Sequence, residues 1–420
     1  MSFDIALSGI QAINESLNVT SHNIANAGTY GYKANRANFS TLVAGSQLNG
    51  VQIGSVTQNI GKSGGALNTG RTLDASINGR GFFVTRAADN SLQYTRVGIF
   101  DTSLDGYLVD ASGRRVQGMA MTPPSTELGA EGDLKIPNGA IPAQVTTAAS
   151  YIGNLSADWK TVSGFPGVDP MNADNPPDTS TYNMSKVTNL YDTLGKAHSL
   201  TQYFSLTELG TVTVNYALDG NLVGPAATLT FNPANGTLTP DDGSEKRVNT
   251  LDLSAVTPGS DEWPTFTSGA KMSGEVDIDY TGTTFFSGEA STATNTPTDG
   301  YSAGTFAGVS LGNDGSVIAK YSNGLTQTVG KVVLATFANE GGLTQISDTS
   351  WIASNESGVA NTDVAGVGIN GKINVSTLEQ SNVDITSELV GLMTSQRNYQ
   401  ANSKVIQTES TMLQSLMQAI

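Results

Sequence analysis

The side chains able to do chemistry are few and badly spaced for it. His22 and His198 are the only histidines among 420 residues. Neither has a second histidine or a carboxylate at ligand spacing, so both read as surface or hydrogen-bonding residues. Cysteine is absent, which removes disulfides, thiolate metal sites and cysteine nucleophiles together. Ile60-Gly61-Lys62-Ser63 approximates the end of a P-loop, but Val56 stands where the first glycine must open the phosphate cradle. Gly366-Val367-Gly368-Ile369-Asn370-Gly371 spells G-x-G-x-x-G. With no βαβ strand before it and no helix opening at its third glycine, it reads as a loop. A carboxylate pair for glycoside hydrolysis could be drawn from 37 acidic residues, yet no spacing singles one out. No enzyme signal survives, and no cofactor or metal is called for.

Composition narrows the field further. The formal charge is −16 and the isoelectric point near 4.4. The 21 basic residues are scattered rather than clustered, which argues against nucleic-acid binding. Charged residues make up 14% of the chain, against about a quarter in ordinary globular proteins. A surface solvated by hydroxyls and amides suits a protein that touches many neighbours or faces the outside. No apolar run approaches the roughly 20 residues that span a bilayer, so no membrane insertion is expected. The first basic side chain is Lys33, and a Sec signal needs a positive start followed by an unbroken apolar core. An extracellular location would therefore require export without a cleaved signal peptide.

The elements that organise the chain lie at its ends. Phe3, Ala6, Ile10, Ile13, Leu17, Thr20, Ile24 and Ala27 recur at heptad spacing, predicting a helix of about 25 residues, roughly 38 Å long. Ser2 is a plausible N-cap, and Asn26-Ala27-Gly28 a stop. Leu389, Leu392, Tyr399, Ile406, Leu413 and Met417 continue a second stripe from Ile385 to Ile420, with Asp384 as N-cap. Both stripes are expected to be assembly surfaces. Gln400, Gln407 and Gln414 form a parallel polar line, which either sets the register of a coiled coil or faces a channel. These helices are poor in ion pairs and carry Gly9 and Gly391, so alone they should be marginal.

Between the stripes the sequence is rich in Gly, Ser, Thr and Asn, with Asn-Gly and Asp-Gly pairs that signal hairpins. Residues 28–70 read as an irregular connector. Ser76–Val84 reads as strand, tight turn, strand, and Tyr94–Phe100 and Tyr107–Val109 continue a meander. In a second β region, Val212, Val214 and Tyr216 alternate with Thr211, Thr213 and Asn215, a half-buried strand ending at Asp219-Gly220. The segment 164–180, with four prolines, reads as a loop. Strands at Val309–Tyr321 and Val329–Phe337 precede the C-terminal stripe. The expected class is α+β and multidomain: paired long terminal α-helices, coiled-coil-like, with two mainly-β domains.

The stretch from Leu17 to Lys33 (LNVTSHNIANAGTYGYK) resembles the N-terminal signature of bacterial flagellar rod and hook proteins. Ser21, Asn23, Ile24, Ala25, Asn26 and Lys33 carry that likeness; His22 and Tyr30 depart from the pattern, which usually has Asn and often Pro there. Ser381–Ile385, Glu388-Leu389-Val390 and Gln396–Asn402 look like the matching C-terminal signature. Asn78-Gly79, Gly81-Phe82-Phe83, Tyr94-Thr95-Arg96 and Asp105–Leu108 are similar to the family's first β domain. Leu190–His198, within an insertion absent from the shorter rod proteins, is similar to the outer domain of the hook branch.

The resemblance implies radial layers. Residues 1–27 and 384–420 would form an inner helical domain, and 28–70 with 373–383 a connector. Residues 71–147 and 286–372 would form a middle β domain, with an outer one, 148–285, inserted into it. It implies a curved, torque-transmitting tube around an export channel, with Gln400, Gln407 and Gln414 as the candidate channel face. The implied partners are further copies of the chain, the hook cap protein, the distal rod protein, the hook-filament junction protein and the flagellar type III export apparatus. A distal rod protein with an unusual insertion is the alternative within the family. An extracellular β-rich adhesin or carbohydrate-binding protein would explain the middle of the chain but not its ends.

Overall fold

The computed structural model describes residues 2–44, 47–121, 127–165, 176–239, 247–253, 270–293 and 298–419. It divides into two compact units. One comprises Met1–Asn138, Ala307–Lys320 and Thr326–Ile420; the other comprises Gly139–Phe306 and Tyr321–Leu325.

In the first unit, helix α1 spans Ser2–Ala25 and helix α2 spans Ile385–Ala419. Ser2 is thus the first helical residue of α1 rather than a cap before it. Asp384 does cap α2: its Oδ1 accepts the N–H groups of Thr386 and Ser387 at 3.0 and 3.4 Å. Those hydrogen bonds, with the Ser387 hydroxyl first among them, hold its carboxyl below the usual aspartate range. The two helices pack against each other, and α1 also lies along an antiparallel hairpin.

That hairpin corrects the reading of 28–70 as irregular. Asn35–Ala44 pairs with Gln47–Gln58, with register shifts at Asn38/Phe39 and Thr41/Val43. The shifts break the period-two alternation on which strand recognition depends. A lone two-stranded ribbon is marginal in water, and here α1 supplies what it leans on. Ser76–Val84 is also not a hairpin. Ala75–Asn78 pairs with Lys372–Val375, whereas Phe82–Arg86 joins a different sheet with Leu92–Thr95 and Arg115–Ala120. Gly79 and Gly81, at φ +111° and +122°, carry the chain from one sheet to the other, a conformation open chiefly to glycine.

The main sheet is organised around Thr326–Thr336, which pairs with Ser316–Tyr321, Arg115–Ala120, Phe82–Arg86 and Asn361–Val364. Its core holds Phe82, Val84, Tyr94, Val333, Phe337 and Trp351. Phe82 meets Trp351 edge-on at 5.5 Å and Phe337 at 6.0 Å. Trp351 Nε1 donates to Gln58 Oε1 at 2.7 Å, tying the end of the hairpin to this core. Gly366–Gly371 lies between strands Asn361–Val364 and Lys372–Val375, and no helix opens there.

In the second unit, Met184–Tyr191, Ala197–Glu208, Thr211–Leu218 and Ala227–Phe231 form an antiparallel meander. Val212, Val214 and Tyr216 are buried, as the alternation predicts, and Asp219-Gly220 turns with both φ positive. Part of the proposed 164–180 loop lies outside the described residues. Of the two readings of His198, surface or hydrogen-bonding, the second holds: it is buried, with Nδ1 2.6 Å from Asp219 Oδ2 and Nε2 3.3 Å from Asp192 Oδ2. Neither aspartate was legible as its partner, because they come from two different turns.

Burial alone would lower the His198 pKa, but hydrogen bonds and charge from Asp219 and Asp192 outweigh it and raise the value. Burial would raise Asp219, yet the His198 bond and the Ser199 N–H bring it below the ordinary range. The histidine's contribution is therefore full below about pH 6.5 and is lost as pH rises through its raised pKa. The aspartate's contribution is present above about pH 3.9 and is lost as pH falls through its lowered one. Thermal unfolding of His198→Gln is expected to trail the parent most at mildly acid pH, with the gap closing towards alkaline pH. A gap independent of pH would show that the pair does not stabilise the fold as an ion pair.

Candidate assembly interface

Helix α1 packs against both α2 and the hairpin, and a glycine marks its close approach to α2. On α1 the buried positions are Ala6, Gly9, Ala12, Val19, Thr20 and Asn23. A Cβ added at Gly9 would lie 2.7 Å from Asn402 Nδ2, so the missing side chain lets α2 approach there. Of the candidate stripe, Ile10, Ile13, Leu17 and Ile24 are half-buried and Phe3 is 40% exposed. On α2, Leu392 and Ile406 are half-buried against α1's side, while Leu389, Tyr399, Leu413 and Met417 are exposed. Gln400, Gln407 and Gln414 are all exposed, away from the seam. With 35 residues against 24, α2 has roughly three more helical turns than α1.

Below the helices, the two ends of the chain are joined by a buried polar cluster that sequence reasoning did not assemble. Asn23, 1% exposed, donates to the Asn35 carbonyl at 2.8 Å and to Glu388 Oε1 at 2.9 Å. Its own oxygen accepts from Asn35 N and the Tyr32 hydroxyl. Asn382 works the same way from the C-terminal side. It accepts from Ala34 N at 2.7 Å and donates to the carbonyls of Asn59 and Lys62, both at 2.8 Å. An asparagine offers two donors and two lone pairs, which explains why this residue type serves at both places.

Lys33 lies deeper. Its Nζ is 2.6 Å from Glu379 Oε1 and 2.9 Å from the Lys62 carbonyl, and its side chain is inaccessible to solvent. Glu379 also accepts from Gly64 N at 3.0 Å and from Arg96 Nη1 at 3.5 Å. Burial lowers the Lys33 pKa, and Glu379 opposes that shift. A Cβ at Gly64 would fall 1.8 Å from the Gln380 carbonyl oxygen, so only glycine permits this closure. Ser21 and Ala25 are exposed, Ile24 is half-buried, and Asn26 donates to the His22 carbonyl at 2.9 Å, ending α1. The Lys62 carbonyl points into the cluster, the reverse of a phosphate-binding backbone. A lone lysine ending an apolar and amide-rich stretch was the available clue to a buried ion pair; its partner, 346 residues away, was not readable.

Comparison with known proteins decides what this arrangement belongs to. Residues 76–150 match the family described as flagellar hook protein FlgE/F/G D1 domain, and residues 154–301 the flagellar basal body protein FlaE D2 domain. Residues 375–419 match the flagellar basal body rod FlgEFG protein C-terminal family. Over 424 residues the chain is 34% identical to the flagellar hook protein FlgE of Escherichia coli (strain K12), covering 99% of both chains. The chain belongs to the flagellar hook protein FlgE family. To the FlgE of Treponema pallidum (strain Nichols) it is 30% identical, with 98% of this chain and 97% of that one covered. The crystal structure of Helicobacter pylori FlgE2 shares the fold at a TM-score of 0.51 and 13% identity, covering 75% of this chain and 99% of that one. The FlgE family is structural rather than enzymatic, and its members are subunits of the extracellular hook of the flagellum. The paired terminal helices and the β-rich D1 and D2 domains are the architecture of that family.

Proposed function

We propose that the chain polymerises into a curved, flexible tube that passes motor torque to the filament and encloses an export channel. The supporting observation is the apolar surface that α2 leaves uncovered. Met412, Leu413, Leu416 and Met417 are 54–74% exposed on consecutive turns, and Leu389, Val390 and Met393 add to them near the other end of the helix. Copies of the chain would cover this surface. In this reading the four-layer division 1–27/384–420, 28–70/373–383, 71–147/286–372 and 148–285 runs from the channel outward. Gln400, Gln407 and Gln414 face the lumen, where uncharged amides let exported chains pass without strong binding. Contacts low in charge exchange at little cost as the tube bends in rotation. The hook cap protein, the distal rod protein and the hook-filament junction protein are the proposed neighbours, and the flagellar type III apparatus the export route.

The second unit supplies the test. Its two connecting segments run side by side: Ile141 N donates to Gly304 O at 2.8 Å, and Gln144 pairs with Tyr301. Adjacent entry and exit points are where a host tolerates loss of an insert. Replacing residues 142–303 with a short Gly-Ser linker is expected to leave tube formation intact and to change curvature, most simply to a straighter tube, with impaired swimming. Tubes of normal curvature and normal motility would deny the unit a mechanical role.

A further inference from the structure

The sequence holds six Asn-Gly pairs, at 49–50, 78–79, 138–139, 235–236, 323–324 and 370–371. From sequence alone they are equivalent. In each, the glycine nitrogen can attack the asparagine side-chain carbonyl carbon, because glycine offers no steric obstacle and wide backbone freedom. The structure separates the five pairs whose side chains are described. Three have the attacking nitrogen already engaged as a donor: Gly236 N to Asn232 O at 2.8 Å, Gly324 N to Tyr321 O at 3.0 Å and Gly371 N to Arg80 O at 2.7 Å. Their asparagine side chains are held as well. Asn323 Nδ2 donates to Ser302 O at 2.7 Å, Asn370 Nδ2 to Asp363 O at 3.1 Å, and Asn235 Oδ1 accepts the Thr237 hydroxyl at 2.7 Å. Asn78 is exposed, but its backbone sits in a ladder opposite Lys372, and a Cβ at Gly79 would come within 3.1 Å of Gly371. It cannot swing into the attacking geometry without breaking that ladder.

Asn138-Gly139 has none of these restraints. Residues 137–140 are all exposed and outside any strand. Among the described residues, neither the Asn138 side chain nor the Gly139 N–H has a hydrogen-bond partner, and nothing lies within 4 Å of a Cβ placed at Gly139. We infer that Asn138 is a site of spontaneous, structure-selected deamidation. The Gly139 nitrogen bonds to Asn138 Cγ, the Cγ–Nδ2 bond breaks, and ammonia leaves with the glycine proton. Water then opens the resulting succinimide at either carbonyl, giving aspartate or isoaspartate. Nothing is oxidised or reduced. Each event adds one negative charge, and the isoaspartyl product also lengthens the main chain by one carbon, at a fixed place in a protein that is not resynthesised once outside the cell.

The full chain should be incubated at mildly alkaline pH, folded and in urea, and digested with trypsin. The informative peptides are Ile136–Lys160, Thr72–Arg80 and Tyr321–Lys331, analysed by mass spectrometry. In the folded chain Asn138 is expected to convert about tenfold faster than Asn323, the factor that one hydrogen bond's net worth makes in a rate. Asn78 should fall behind Asn138, and Gly139→Ala should slow the reaction. In urea the sites should converge. Equal rates at Asn138 and Asn323 in the folded chain, faster conversion at Asn78, or a ranking unchanged by urea would each overturn the inference.

Discussion

Glu379→Gln is expected to destabilise the first unit by about 3–5 kcal/mol, the usual cost of removing one member of a buried ion pair. Glu379 is 3% exposed and receives Lys33, Gly64 N and Arg96. The amide would leave the inaccessible Lys33 ammonium beside a neutral oxygen, with only the Lys62 carbonyl to help it. Adding Lys33→Met should recover part of the loss, since the buried ammonium is then gone and the methionine chain fills a similar volume, while the buried Arg96 guanidinium still lacks its carboxylate. Arg96 keeps its bond to the Gly79 carbonyl at 3.1 Å in either variant. Denaturant unfolding of the two single variants and the double one gives the coupling energy directly. Strictly additive losses would mean that the pair is not the unit of stability claimed for it.

Leu413→Asp has its large effect elsewhere. Leu413 is 54% exposed in the single chain, so the substitution should leave the monomer's circular dichroism and melting temperature nearly unchanged. In a packed polymer the same aspartate is an unpaired buried charge, which costs several kcal/mol. Because that cost recurs in every subunit, tubes are expected to disappear at concentrations where the parent assembles fully. Gln414→Ser, one residue away, should assemble normally if that line faces a lumen. Sedimentation of polymer from monomer reads both variants, and normal pelleting of Leu413→Asp would show that this stretch of α2 is not an assembly surface.

The terminal helices were legible because heptad spacing of Ile, Leu and Met survives without tertiary help, and because Asp384 and Asn26-Ala27-Gly28 mark their ends. Which face meets which was not. Gly9 marks the close approach to α2, and hydrophobicity ranks glycine below Ile10 and Leu17. The meander at 184–231 was readable, in part, from clean alternation at Thr211–Leu218 and from the Asp219-Gly220 turn, where both φ are positive. The 35–58 hairpin was missed because two register shifts disrupt its period. The Asn23, Lys33, Glu379 and Asn382 cluster was half-visible: two of its residues lie in the N-terminal signature, but pairing across more than 300 residues leaves no local trace. His198 is hydrogen-bonded, one of the two readings its sequence allowed, but its partners were unreadable because they come from separate turns.

The central claim is that the chain's ends are surfaces for other copies, and amide hydrogen exchange in dilute monomer and in assembled tubes tests it most directly. In the monomer, α1 and α2 are short of apolar cover, and their amides should exchange orders of magnitude faster than those of the Thr326–Thr336 strand. In the tube, Ser2–Ala25 and Ile385–Ala419 should become about as protected as that strand. Equal protection of both helices in monomer and tube would contradict the account.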